Sequence, residues 1–120
     1  MDPNGIQGNE LKFITVAIDK NGNKEAEVHL PDQCSPVRIE APSGLVSASA
    51  AIAPIKSDLA TYQQLRDYFG QLLFSLNPIV ASESYRIKTE DGAVIGSHFR
   101  VVFPSAEAGR SIVVWYRALL

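Results

Sequence analysis

The chain has 120 residues, of which 46% are hydrophobic and 20% charged, with 11 basic against 13 acidic groups for a formal net charge of −2. That length suits one ordinary domain, and the apolar fraction with a low net charge excludes an intrinsically disordered chain. One cysteine, Cys34, excludes an intrachain disulfide framework, and the longest apolar runs, such as Ile112 to Tyr116, fall far short of the roughly 20 residues a membrane helix needs.

Residues 1 to 10 (MDPNGIQGNE) combine two Gly, two Asn and a Pro with one apolar side chain after the initiator. Turn chemistry outcompetes regular structure there, so the segment reads as an arm before a β-rich domain spanning 11 to 120. The start has neither a basic cluster nor an apolar run; no signal peptide is expected, and the location reads as cytoplasmic or virion.

From Leu11 the pattern is β-prone. Ile14, Val16 and Ile18 alternate on one face, Asn21-Gly22 supplies the two positive-φ positions of a type I′ turn, and Ala26, Val28 and Leu30 then alternate with Glu25, Glu27 and His29. A paired hairpin is predicted. Val37, Ile39 and Ala41, interleaved with Arg38 and Glu40, predict a third strand before the Pro42-Ser43-Gly44 turn. Leu45 to Ile55 is rich in Ala and Ser, and Pro54 cannot donate to a ladder, which suits an edge strand or close backbone packing.

The spacing of Tyr62, Leu65, Phe69, Leu72 and Leu76, widened by Leu59 and Leu73, predicts one long amphipathic helix over about 57–76. Ser57 or Asp58 would cap it, Asn77-Pro78 would stop it, and Gly70 inside it would cost up to ~1 kcal/mol relative to Ala. A second β region follows: Val80 to Lys88, a Glu90-Asp91-Gly92 turn, Ala93 to Ile95, a Gly96-Ser97 bulge, His98 to Phe103, the Pro104 to Gly109 loop, and Ser111 to Leu119. The last strand is apolar on both faces, which places it centrally or at an interface. The expected fold is α+β but mainly β: an antiparallel sheet or open sandwich of about seven to eight strands crossed by the long helix.

Chemistry-bearing patterns are sparse. Cys34, His29 and His98 do not stand at zinc-ligand spacings, Asp19 to Asn23 reads as turn chemistry rather than a calcium loop, and no phosphate-binding glycine motif occurs. No catalytic residue, cofactor or metal is therefore assigned. On the period of two, Arg86 and Lys88, His98 and Arg100, and Trp115 and Arg117 each share a strand face. Placed on one sheet face, Arg86, Lys88, His98, Arg100 and Arg117 would form a basic strip able to contact RNA phosphates beside an aromatic. Ile112, Val114, Trp115 and Tyr116 are the candidate interface residues. These features lead to a noncatalytic structural or assembly protein that forms homo-oligomers, concretely a small virion coat or decoration subunit. Its expected partners are itself, with RNA or other virion proteins, and no membrane. The alternative is a monomeric ligand- or peptide-binding regulatory module, with a small enzyme using carboxylates or the Cys34/His29 neighbourhood behind it.

Overall fold

A computed structural model of the chain describes residues 11–55 and 61–118. The strands are β1 (Lys12–Ala17), β2 (Glu25–His29), β3 (Cys34–Glu40), β4 (Ala50–Pro54), β5 (Ser75–Leu76), β6 (Ser84–Arg86), β7 (His98–Val102) and β8 (Ser111–Ala118), with one short helix, α1 (Thr89–Ile95), between β6 and β7. They form two antiparallel four-stranded sheets, in the orders β1-β8-β3-β6 and β2-β7-β4-β5. The pairing follows one rule: first with eighth, second with seventh, third with sixth, fourth with fifth. The chain is thus a single long antiparallel ribbon, folded at the β4–β5 connection and rolled until β8 meets β3 and β7 meets β4. An eight-stranded double sheet with this winding is a jelly roll.

The core lies between the inner faces. Ile18, Ile39, Ile112 and Val114 of the first sheet meet Val28, Phe99, Val101 and Phe103 of the second, all essentially without solvent exposure. Alternation in the sequence selects these positions, because successive side chains of a strand point to opposite faces. Ile112 and Val114, expected at an interface, are core residues instead: β8 runs between β1 and β3, and its inner face is consumed by the sandwich.

The Asn21-Gly22 turn forms, with φ of 54° and 74° followed by Asn23 at 62°, and it closes a bridge between Lys20 and Glu25. The paired hairpin does not continue beyond that bridge. β1 turns away to zip against β8 while β2 zips against β7, so the two strands enter different sheets. Nor is β4 an edge strand. It lies between β7 and β5 and is buried along its whole length: Gln63 N–H donates to the Pro54 carbonyl at 3.0 Å and Ile52 N–H to the Phe74 carbonyl at 3.0 Å along its edge, and Tyr62 reaches over Arg100 of the neighbouring β7.

The long helix is absent from the described part of 57–76; residues 57–60, like the arm at 1–10, lie outside the described residues. Two local features defeat the helical pattern. Gly70 sits at φ +85°, and the Asp67 side chain accepts the backbone N–H groups of Phe69 (2.9 Å) and Gln71 (3.0 Å), an arrangement that competes with helical bonding. The apolar stripe is divided accordingly: Phe74 is buried, Leu65, Leu72 and Leu76 are half-buried, and Phe69 is 85% exposed. The helix that does form takes residues expected in a turn and a strand. Glu90 and Asp91 place negative charge in its first turn, and Gly96, at φ +76°, ends it. It packs tightly on β3, where a Cβ at Gly92 would lie 2.8 Å from the Pro36 carbonyl oxygen. No helix among the described residues is long and apolar enough to cross a membrane.

This division predicts opposite outcomes for two phenylalanines. Phe99→Ala should lower the unfolding free energy by about 3–5 kcal/mol through lost transfer energy and a cavity. Phe69→Ala should change it by less than about 0.5 kcal/mol, as surface substitutions do. Urea denaturation of the two variants measures both.

Candidate functional site

With the interior filled by apolar side chains, chemistry is left to the outer faces, and the two differ. On the second sheet, Glu25, Glu27 and His29 of β2 stand opposite Val102, Arg100 and His98 of β7. Arg100 is clamped between carboxylates, Nη1 to Glu25 Oε1 at 2.9 Å and Nη2 to Glu27 Oε1 at 2.7 Å, and its guanidinium lies 4.8 Å from the Tyr62 ring centre. Glu27 also meets His29 Nε2 at 2.6 Å, and the His29 and His98 rings stand edge to face at 4.8 Å. Arg100 chiefly, then His29, hold the Glu27 carboxyl below its ordinary pKa. Burial, followed by the Glu27 charge, pushes the Tyr62 phenol up. An open polar cleft of about 510 Å³ lies beside this cluster, lined by Thr61, Tyr62, Gln64 and Arg66 among others. Two carboxylates around one guanidinium leave this patch no cationic surplus for a phosphate.

The first sheet presents the opposite balance. Register places Phe13, Trp115, Arg38 and Arg86 in one row across β1, β8, β3 and β6. Phe13 and Trp115 pack with ring centres 5.0 Å apart, the Arg38 guanidinium lies 4.6 Å from the Trp115 ring, and Trp115 Nε1–H donates to Glu40 Oε2 at 2.9 Å. Arg117 stands two residues along β8 on the same face, opposite Ser35.

The structure therefore divides the basic strip expected from the sequence. Arg86 and Arg117 share the first sheet's outer face with Trp115; His98 and Arg100 lie on the second sheet, and exposed Lys88 lies beyond β6 at the start of α1. Because side chains on two back-to-back sheets point away from each other, these five cannot form one face. Of the candidate interface residues, Trp115 lies half-buried on that same outer face, and Tyr116 points the other way and packs against the core. Arg38 and Phe13 were not singled out by sequence reasoning; alternation gave Arg38 an outward direction, but only register sets it beside Trp115. Cys34 opens β3 opposite Ala118 and is partly buried. Among the described residues no group of three or more His, Cys, Asp or Glu is gathered to hold a metal ion.

A third feature projects from the β4–β5 connection. Leu65 to Leu73 doubles back on itself, with Leu73 N–H bonded to the Leu65 carbonyl at 2.7 Å, a bridge between Arg66 and Leu72, and Asp67 N–H bonded to the Gln71 carbonyl at 2.7 Å. Arg66 Nη1 adds a bond to the Gly70 carbonyl at 2.8 Å. This stiff turn carries Tyr68 and Phe69 at its tip, 96% and 85% exposed, in edge-to-face contact. Near its base lies an apolar cleft of about 290 Å³ lined by Ala50, Leu72, Val102, Phe103 and Pro104 among others.

Glu107 is the buried charge that sequence reasoning passed over as a loop residue. Fully buried, its carboxylate accepts Ser47 Oγ–H at 2.6 Å, Ser47 N–H at 2.7 Å and Val46 N–H at 3.1 Å, with Arg110 Nη1 at 3.4 Å. Its own N–H donates to the Asn23 carbonyl at 2.7 Å, so one residue ties the β1–β2, β3–β4 and β7–β8 connections at one end of the sandwich. Comparison with protein-family profiles, curated proteins and solved structures returns no match for this chain.

Burial raises the Glu107 pKa, but the Ser47 hydroxyl, the two backbone N–H groups and Arg110 together outweigh it and hold the carboxyl below its ordinary value of 4.5. The unfolded chain then binds the proton first. The stabilisation is complete above about 4.5 and is lost as pH falls through the lower folded value. Glu107→Gln should be less stable than the parent at neutral pH, with the difference shrinking on acidification; thermal melts across the acid range read it.

Proposed function

We propose that this chain is a noncatalytic assembly subunit that associates with copies of itself, in the manner of a small virion coat or decoration protein. The observation that carries the proposal is the stiff turn at Leu65–Leu73 with two almost fully exposed aromatic rings. Exposed neighbouring aromatics of this kind are costly in water and mark contact sites, and Tyr and Phe are enriched in buried interface cores. The apolar cleft between Leu72 and Pro104 has room for one such ring from a neighbouring copy. A tip-into-cleft contact joins two different surfaces, so it propagates head to tail, into rings where the rotation closes and into filaments where it does not. The jelly-roll winding supports the narrower virion reading by analogy, since the architecture recurs in capsid subunits as well as in lectins and cupins. The apolar packing of the sandwich interior favours the first of these over an interior ligand site. The polar cleft beside Arg100 favours the alternative, a monomeric binding module.

Sedimentation equilibrium over a concentration series separates the two readings. The full chain should increase in mass with concentration, whereas Tyr68→Ser/Phe69→Ser should remain monomeric with an unchanged melting temperature. A parent that stays monomeric at every concentration, or a double variant that associates equally well, overturns the assembly reading.

A further inference from the structure

We infer that the outer face of the first sheet is a binding surface for single-stranded RNA, centred on the row Phe13, Trp115, Arg38 and Arg86 with Arg117 beside it. This goes beyond self-association and uses a different surface from the aromatic tip. Three observations converge on an anionic, ring-bearing ligand. Charge comes first. Among the described strand residues, Arg38, Arg86 and Arg117 share this face with one acidic residue, Glu40, which already accepts the Trp115 indole N–H. None of the three guanidiniums has an ion pair among the described residues, in a chain whose net charge is −2.

The second observation is a cost that the free protein carries. Arg38 and Arg86 stand directly opposite each other on β3 and β6, and like charges at opposed positions destabilise a strand pair. Among the described residues, Arg38 Nε is in addition buried without a hydrogen-bond partner. A phosphate oxygen between the two guanidiniums would relieve the repulsion and supply acceptors. The third observation is the aromatic pair. Phe13, 58% exposed, and Trp115 offer a stacking surface beside the guanidiniums, and Arg38 extends it as a planar cation over the indole.

Alternating phosphates and ring faces are what an unpaired polynucleotide presents; an acidic peptide supplies the charge without the rings, and a duplex hides its rings in the stack. Thr15, Ser84 and Ser111 lie on the same face by register, and hydroxyls of this kind are what would distinguish a ribose 2′-OH from deoxyribose. Arg100 takes no part, being neutralised on the opposite sheet.

Trp115 is the only tryptophan, so its fluorescence reports this face directly. The full chain is titrated with a uridine oligonucleotide, a DNA oligonucleotide of matching length, an RNA duplex and an oligoglutamate, each at several salt concentrations. Single-stranded RNA should quench the emission saturably and bind most tightly. Neutralising three phosphates should give a log–log salt slope of about −2. Arg86→Glu/Arg117→Glu and Phe13→Ser should each weaken binding tenfold or more while leaving the melting temperature and the sedimentation behaviour of the parent unchanged. Absent quenching, equal binding of oligoglutamate, duplex or DNA, or full affinity in the charge-reversed variant overturns the inference. Because sedimentation is read on the same variants, loss of RNA binding and loss of self-association are scored separately.

Discussion

The hydrogen bonding of β8 on both edges is the constraint on which the rest of this molecule depends. β8 pairs with β1 on one side and β3 on the other, so the last strand of the described residues holds the first strand in the sheet and fixes the inner face on which Ile112 and Val114 pack. The ribbon rule makes nearly every pairing distant in sequence; only β4 and β5 are joined without an intervening strand. Loop-closure entropy must therefore be met before most native contacts form, which places the fold among slow, non-local topologies. Among the described residues the interior of the sandwich is apolar. Phe99 and Phe103 pack the middle from one side and the isoleucines of the first sheet from the other.

Those surfaces are made unequal by how the ribbon is rolled. The bend of the ribbon, the β4–β5 connection, runs along the second sheet, where it presents Tyr62 to Arg100. Charges there are matched internally through Glu25 and Glu27. On the first sheet α1 packs on β3 beside Ser35 and Pro36, and among the described residues Arg38, Arg86 and Arg117 form no ion pair. One end of the sandwich is closed by Glu107, whose carboxylate gathers donors from two loops while its backbone reaches a third. The aromatic tip, the cationic sheet face and the closed end thus occupy separate parts of the molecule, and the two proposed activities draw on different surfaces.

Much of this was legible in the sequence, and the failures share one cause. Alternation located β1, β2, β3, β7 and β8 and sorted their side chains into inner and outer sets, except at Val37, where a bulge in β3 sends Pro36 inward in its place. It could not say which strands pair, because a period of two fixes a face and not a neighbour. Asn21-Gly22 therefore made its turn without making a hairpin sheet, and the basic residues divided between two sheets. The stripe from Tyr62 to Leu76 has helical spacing, but Asp67 and Gly70 provide a cheaper local solution, and the aromatics at the tip face solvent rather than a core. Conversely, Glu90-Asp91-Gly92 carries turn residues that serve as the acidic first turn of α1. Trp115 and Arg117 were visible as one face; Arg38 and Phe13 became part of it only through register across three strands. Glu107 left no signal, because a loop carboxylate that ties three connections has the same sequence context as one in water.

Hydrogen exchange followed by mass spectrometry, run at low and high protein concentration, tests the account most directly. Amides of Ile112 to Tyr116 should exchange only with global unfolding at both concentrations, as expected of a strand paired on both edges. The hydrogen-bonded amides between Leu65 and Leu73 should exchange by local opening in the dilute protein and become more strongly protected in the concentrated one. Fast exchange along β8, or tip amides indifferent to concentration, would contradict the account: the former its rolled ribbon, the latter its view of the aromatic tip as the point of self-association.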